Sequence, residues 1–219
     1  MRAQSVTVDG EPDGFEPPLA WGAERTPTGE TRLMVSVPPE RLAEVHQALL
    51  RALQPPLGFL YRQHIDRQQP RPQGAPPQDR LALELDPERV LAALTRCAGV
   101  VYGDARAEVW IRGDMGEQLV LDQDGIVYCY PDDPTFRDVL GALGVPESDD
   151  QTLAERDYVK HWFRAEADEQ EDAFVQGLDP LLLQHGVLPT LRALDTAQAC
   201  LDALGAPEDD PRRLRVELV

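Results

Sequence analysis

Leu83-Glu84-Leu85-Asp86-Pro87-Glu88-Arg89-Val90 repeats, at an offset of 48 residues, the pattern of Val35-Ser36-Val37-Pro38-Pro39-Glu40-Arg41-Leu42. In both stretches alternating apolar residues of a strand give way to proline, glutamate and arginine, and then to apolar residues at helical spacing. The first helix carries Leu42, Val45, Leu49, Leu50 and Leu53, and the second Val90, Leu91, Leu94 and Cys97. Proline suits the first helical position because its missing N–H has no partner there anyway. Asp86 can cap the free amides, and Glu88 favours the positive end of the helix dipole. Gln54-Pro55-Pro56 stops the first helix, and residues 57–65 read as the strand that follows it.

Two strand-helix-strand units of this kind predict an α+β protein: a mainly antiparallel sheet with helices packed on one face. The ferredoxin-like order β-α-β-β-α-β is the arrangement they suggest. Residues 68–78, rich in Pro and Gln, form the linker between the units. Farther on, residues 107–112 alternate, residues 118–121 are apolar, and Asp124-Gly125 supplies the turn to residues 126–130, which reads as an antiparallel meander. The helix-start punctuation returns at Asp133-Pro134, with Gly144 as the stop, and at Asp179-Pro180 before Leu181-Leu182-Leu183.

The chain divides into residues 1–30, an extended N-terminal arm; residues 31–145, the α+β core; and residues 146–219, an acidic, mostly helical region packed on that core. Within the last, residues 158–164 form a strand or a helix start, and residues 165–177 an acidic helix. Helical sequence is expected over residues 181–204, and residues 214–218 alternate as an edge strand or tail would.

Charge bounds the choice of partner. The 219 residues hold 39 Asp and Glu against 21 Lys and Arg, a formal net charge of −18. Such a field repels nucleic acid and anionic membrane and favours basic proteins. Residues 31–78 are locally basic, with six Arg against three acids, whereas residues 134–219 hold 18 acids and eight bases. Lys160 is the only lysine, a bias that a GC-rich genome would also produce. A signal-like leader and a long apolar run are both missing, which places the expected protein in the cytoplasm. Cys97, Cys129 and Cys200 are widely spaced and odd in number, unlike a disulfide framework or a zinc knuckle, and are expected to be small buried residues.

No motif carries chemistry by itself. Asp122-Gln123-Asp124-Gly125 opens like a calcium loop, but Val127 and Cys129 stand where ligands should follow, so a hairpin turn is the better reading. Asp132 and Asp133 are adjacent carboxylates at a strand end, with Asp133 already placed to cap a helix. His161, Glu166, Glu169 and His185 lack the one-turn spacing of a helical zinc motif. Arg62, His64, Arg67 and Arg71 beside Phe59 and Tyr61 mix charge and rings as single-stranded nucleic-acid surfaces do, but the surrounding acidity favours pairing with the acidic C-terminal region.

The set that stands out is Tyr158, Trp162 and Phe163, with Phe174, beside the carboxylates Glu166, Asp168, Glu169, Glu171 and Asp172. Aromatic anchors ringed by acids are what a binder of a basic protein needs, although the same rings would also serve to pack the helix on the sheet. The expected function is therefore a non-enzymatic, acidic, cytoplasmic protein-binding module. An immunity protein against a basic toxin and a chaperone for a secreted bacterial effector are examples of such proteins. No metal or cofactor is called for, nucleic acid and membrane are excluded as partners, and a homo-oligomer stays open. One alternative is an enzyme assembled from Asp132, Asp133, His161 and Glu166 around a small substrate or a divalent metal. Another is a structural subunit whose arm or linker reaches a neighbour.

Overall fold

A computed structural model describes residues 1–72 and 74–183. The elements run β1 (Ala3–Ser5), β2 (Ala20–Arg25), β3 (Thr31–Ser36), α1 (Leu42–Leu50), β4 (Leu57–Gln63), β5 (Gln78–Leu85), α2 (Pro87–Arg96) and α3 (Ala98–Gly103). They continue with β6 (Ala107–Arg112), β7 (Gln118–Leu121), β8 (Val127–Tyr130), α4 (Pro134–Ala142), β9 (Val159–His161), α5 (Asp168–Leu178) and β10 (Leu181–Leu183). Among the described residues eight strands form one sheet in the order β10-β5-β4-β6-β7-β8-β3-β2, with every neighbouring pair antiparallel. The protein is α+β.

The period of two along each strand decides which face takes the helices. Leu33 and Val35, Val109 and Ile111, Leu119 and Leu121, and Val127 and Cys129 point to one face, where α1 to α5 add their apolar stripes to a common core. Each Leu, Val or Phe fully buried there contributes about 1.5–3 kcal/mol. On the opposite face a smaller core joins Ala3, Ile126 and Leu153 with Phe15, Met34, Tyr128 and Val159. That core seats the two-stranded sheet of β1 and β9.

Local chemistry sets the helix starts. Asp86 accepts the Glu88 N–H at 2.8 Å and Asp133 accepts the Thr135 N–H at 2.7 Å, so α2 and α4 begin at the following prolines. The counterpart of Asp86 in the first unit is Pro38, which has no acceptor side chain. A turn from the Pro38 carbonyl to the Arg41 N–H intervenes, and α1 begins only at Leu42. In the meander, Gly125 takes a positive φ of 88° and Asp122 Oδ1 accepts the Ile126 N–H at 2.9 Å, which makes Asp122–Gly125 a hairpin turn.

Three expectations change. The ferredoxin-like order would place β3 between β5 and β6, but β6 adds to the other edge of the β4–β5 hairpin, and β7 and β8 separate β6 from β3. Local antiparallel pairing of consecutive strands takes precedence over the crossover that order needs. Residues 1–30 are more than an extended arm, since β2 pairs with β3 over six residues and β1 pairs with β9. Leu181–Leu183 is a strand on β5, not a helix start, because Asp179 takes a left-handed conformation (φ 48°, ψ 49°) that ends α5 and turns the chain to the sheet edge. The rest of the helical sequence expected to residue 204, Cys200 and the alternation at 214–218 lie outside the described residues.

Candidate functional site

Strand β9 exists because Val159 is anchored below it. Its side chain joins the smaller core, while Val6 N–H donates to Tyr158 O (3.1 Å) and Trp162 N–H donates to Arg2 O (2.8 Å). Alternation then turns Tyr158, Lys160 and Trp162 outward. Tyr158 is 50% exposed, Trp162 37% and Phe163 36%, among few large apolar side chains left outside the described cores. The Lys160 ammonium lies 4.9 Å from the centre of the Trp162 ring. Phe163 meets His161 edge to face at 6.5 Å, and His161 Nε2 stands 2.7 Å from Asp124 Oδ1.

Helix α5 lies nearby in sequence, and its carboxylates divide between two sides. Phe174 and Leu178 are buried, and Glu171 falls three and seven residues before them, on the same side of a helix. Phe174 packs edge to face on Phe59 and Tyr61, both at 5.6 Å, so this ring serves packing, unlike the other three aromatics. Glu171 is correspondingly not a surface contact. It accepts the Tyr61 hydroxyl (2.6 Å), the Gln63 side-chain N–H (2.8 Å) and Arg106 Nη1 (2.9 Å). Asp168 is half-buried, 2.8 Å from Arg106 and 3.3 Å from Arg67. Glu166, Glu169 and Asp172 remain exposed, and no Lys or Arg among the described residues pairs with them.

Arg106 is the hub that sequence reasoning missed. It is fully buried and also holds both Asp104 oxygens (3.0 and 2.9 Å) and the Arg164 carbonyl (2.9 Å). Burial opposes its charge, but the hydrogen bonds to Asp104 and Glu171 prevail and raise its pKa. Burial, followed by the charge of Glu171, pushes the Tyr61 phenol well up. One sequence signal was available: Glu171 is in phase with Phe174 and Leu178, and an acid on an apolar stripe requires a buried cation.

The locally basic stretch is engaged within its own chain. Arg62 holds Asp79 (2.9 and 3.2 Å), His64 holds Glu108 (3.0 Å), and Arg71 donates to the Gln63 and His64 carbonyls. Arg67 reaches Asp168, as pairing with the acidic region requires, while Phe59 and Tyr61 are core residues. Residues 1–30 likewise fold back on their own chain, with Arg2 buried under Val101 and Ala107 and Asp13 paired with Arg156 at 2.6 Å.

The four residues of the enzyme alternative do not converge. Asp132 is clamped by Arg137 through two contacts of 2.7 Å, and Asp133 caps α4, both just beyond the C-terminal end of β8. His161 pairs with Asp124, in the turn that precedes the N-terminal end of the same strand. An open surface cavity of about 710 Å³ includes Asp132 and another of about 370 Å³ includes Glu24, Arg32 and Tyr128, but neither is lined by His161 or Glu166. Among the described residues no three His, Cys, Asp or Glu side chains are grouped to hold a metal ion. Asp122, read from sequence only as a turn residue, is half-buried, and the loss of water around its carboxylate raises its pKa to about 7. No protein-family model, curated protein or solved structure matches this chain.

Proposed function

We propose that this chain is a non-enzymatic protein-binding module of the cytoplasm that engages a basic protein, in the manner of an immunity protein or a dedicated chaperone. The observation that carries the reading is the exposure of Tyr158, Trp162 and Phe163 within six residues of one another, followed at once by the outward carboxylates Glu166, Glu169 and Asp172. Rings of this size contribute desolvated contact area, and unpaired acids beside them steer a cationic partner and repel anionic ones. Across the whole chain, a net charge of −18 extends that preference beyond contact range. Among the described residues no helix is long and apolar enough to cross a membrane.

The test is capture with the tagged protein from an extract of its own cells, washed at low and at moderate salt. One strongly basic protein, held stoichiometrically at low salt and released as screening rises, is the expected result. Retention of nothing above background, or of a partner that is acidic and indifferent to salt, would remove the reading.

A further inference from the structure

The register of β1 on β9 decides where the backbone of β9 points. The bonds from Val6 N–H to Tyr158 O and from Trp162 N–H to Arg2 O flank the Gln4–Lys160 pair, so Tyr158, Lys160 and Trp162 are the residues that bond to β1. In an antiparallel ladder the residues between them face the other way. The N–H and C=O groups of Val159 and His161 therefore point to the edge opposite β1. Among the described residues no strand pairs with that edge, and no donor or acceptor meets those four groups. Proteins usually protect such an edge with a proline, a bulge, a covering strand or an outward lysine. Lys160, the one lysine of the sequence, stands on the solvent face of β9 with its ammonium over the Trp162 ring.

We propose that this edge takes up the basic partner by strand addition: an extended segment of the partner hydrogen-bonds to Val159 and His161 and becomes the third strand of the β1–β9 sheet. The proposal rests on the protein-binding reading above and specifies its mode. Main-chain bonds to an open edge give affinity, and alternate side chains give specificity. Residues of the added strand that lie opposite Tyr158 and Trp162 share the solvent face with those rings, where an Arg or Lys can lay its stem and cation on an aromatic surface. A neutral residue falls opposite Lys160, which defines a five-residue pattern with basic residues at its first and last positions.

Charge selects the occupant. Of the six carboxylates from Asp157 to Asp172, Asp157, Glu166, Glu169 and Asp172 are exposed, against Lys160 and Arg164, while Asp168 and Glu171 are held by Arg67 and Arg106. A second copy of this chain would bring the same excess to the same edge and be repelled, whereas a basic segment is attracted.

The experiment uses the full chain and two peptides, acetyl-Arg-Val-Thr-Val-Arg-amide and the same peptide N-methylated at both valines. Methylation keeps charge and side chains but removes the N–H groups that would bond to Val159 and His161. Amide exchange by NMR is expected to slow at least about tenfold at Val159 and His161 with the first peptide, and not with the second. His161→Pro, which removes an N–H that β1 does not use and leaves Val159 in the smaller core, should keep the fold by circular dichroism and lose this binding. Equal binding of both peptides without protection at Val159 and His161 would overturn strand addition and leave the aromatic and acidic surface as the binding site. Binding of neither, or unchanged binding by His161→Pro, would also overturn strand addition, and the capture experiment then decides the basic-partner reading separately.

Discussion

Replacing Arg106 with Met should destabilise the protein more than most single changes, and the magnitude follows from what the guanidinium leaves behind. Asp104 is fully buried and the Glu171 side chain is 6% exposed, so neither carboxylate regains water when its partner is removed. Breaking a buried pair from one side costs about 3–5 kcal/mol, because an uncompensated charge remains in low dielectric. For a chain of this size that corresponds to a fall in Tm of roughly 6–20 °C. Helix α5 should respond most, since Glu171 is its polar tie to Tyr61, Gln63 and Arg106. Urea unfolding at neutral pH gives the stability, and amide exchange across residues 168–178 gives the local effect. Because α5 carries Glu169 and Asp172, the variant should also weaken partner binding without touching the binding surface. A loss of less than about 1 kcal/mol with unchanged exchange in α5 would refute the reasoning, since it would place the cluster in contact with water.

Three further outcomes are expected. Phe174→Ala empties the site between Phe59 and Tyr61 and should cost about 3–5 kcal/mol in urea unfolding. His46 is fully buried, and burial together with the charge of Arg2 lowers its pKa from 6.5 to about 3. The unfolded chain thus binds one proton more between those values, and stability falls as pH drops through the window. Between about pH 7.5 and 5 the native protein should lose about 2 kcal/mol more than His46→Gln, measured by denaturant titration at both pH values. Asp122 behaves in the opposite sense: burial, then the charge of Asp124, raises its pKa from 3.8 to about 7, so the folded state retains a proton that the unfolded state releases. Stability contributed by this group falls as pH rises from 3.8 through 7. Asp122→Asn, whose amide oxygen can still accept the Ile126 N–H, should therefore raise Tm most above pH 7 relative to the native protein, less near pH 5, and change it little near pH 3, by thermal scans.

Features fixed by short-range chemistry were legible in the sequence. The meander followed from alternation and one Asp-Gly turn, and the starts of α2 and α4 from an aspartate before a proline. The burial of Cys97 and Cys129 also matched their spacing. What escaped depends on contacts far apart in the chain. β2 is short and interrupted by Gly22, and it becomes a strand through its pairing with β3 and the hydrogen bonds Trp21 makes with Pro146 and Ser148. Leu181–Leu183 reads as a helix start until a left-handed Asp179 and the free edge of β5 are in view. The candidate site was half legible. Tyr158, Trp162 and Phe163 are exposed as a binding surface requires, but the acidic run hides an inward stripe, and Arg106, 65 residues upstream of Glu171, claims that residue for the interior.

The most direct test of a basic partner held on this surface is quantitative capture by three proteins side by side. These are the native chain, the triple variant Tyr158→Ser, Trp162→Ser and Phe163→Ser, and the triple variant Glu166→Gln, Glu169→Gln and Asp172→Asn. All six positions are exposed, so both variants should keep the native unfolding midpoint. The account predicts a strongly basic protein on the native chain at low salt, little on the aromatic variant, and on the neutralised variant a reduced amount that depends less on salt. Equal retention by all three proteins, with unfolding midpoints unchanged, would contradict it.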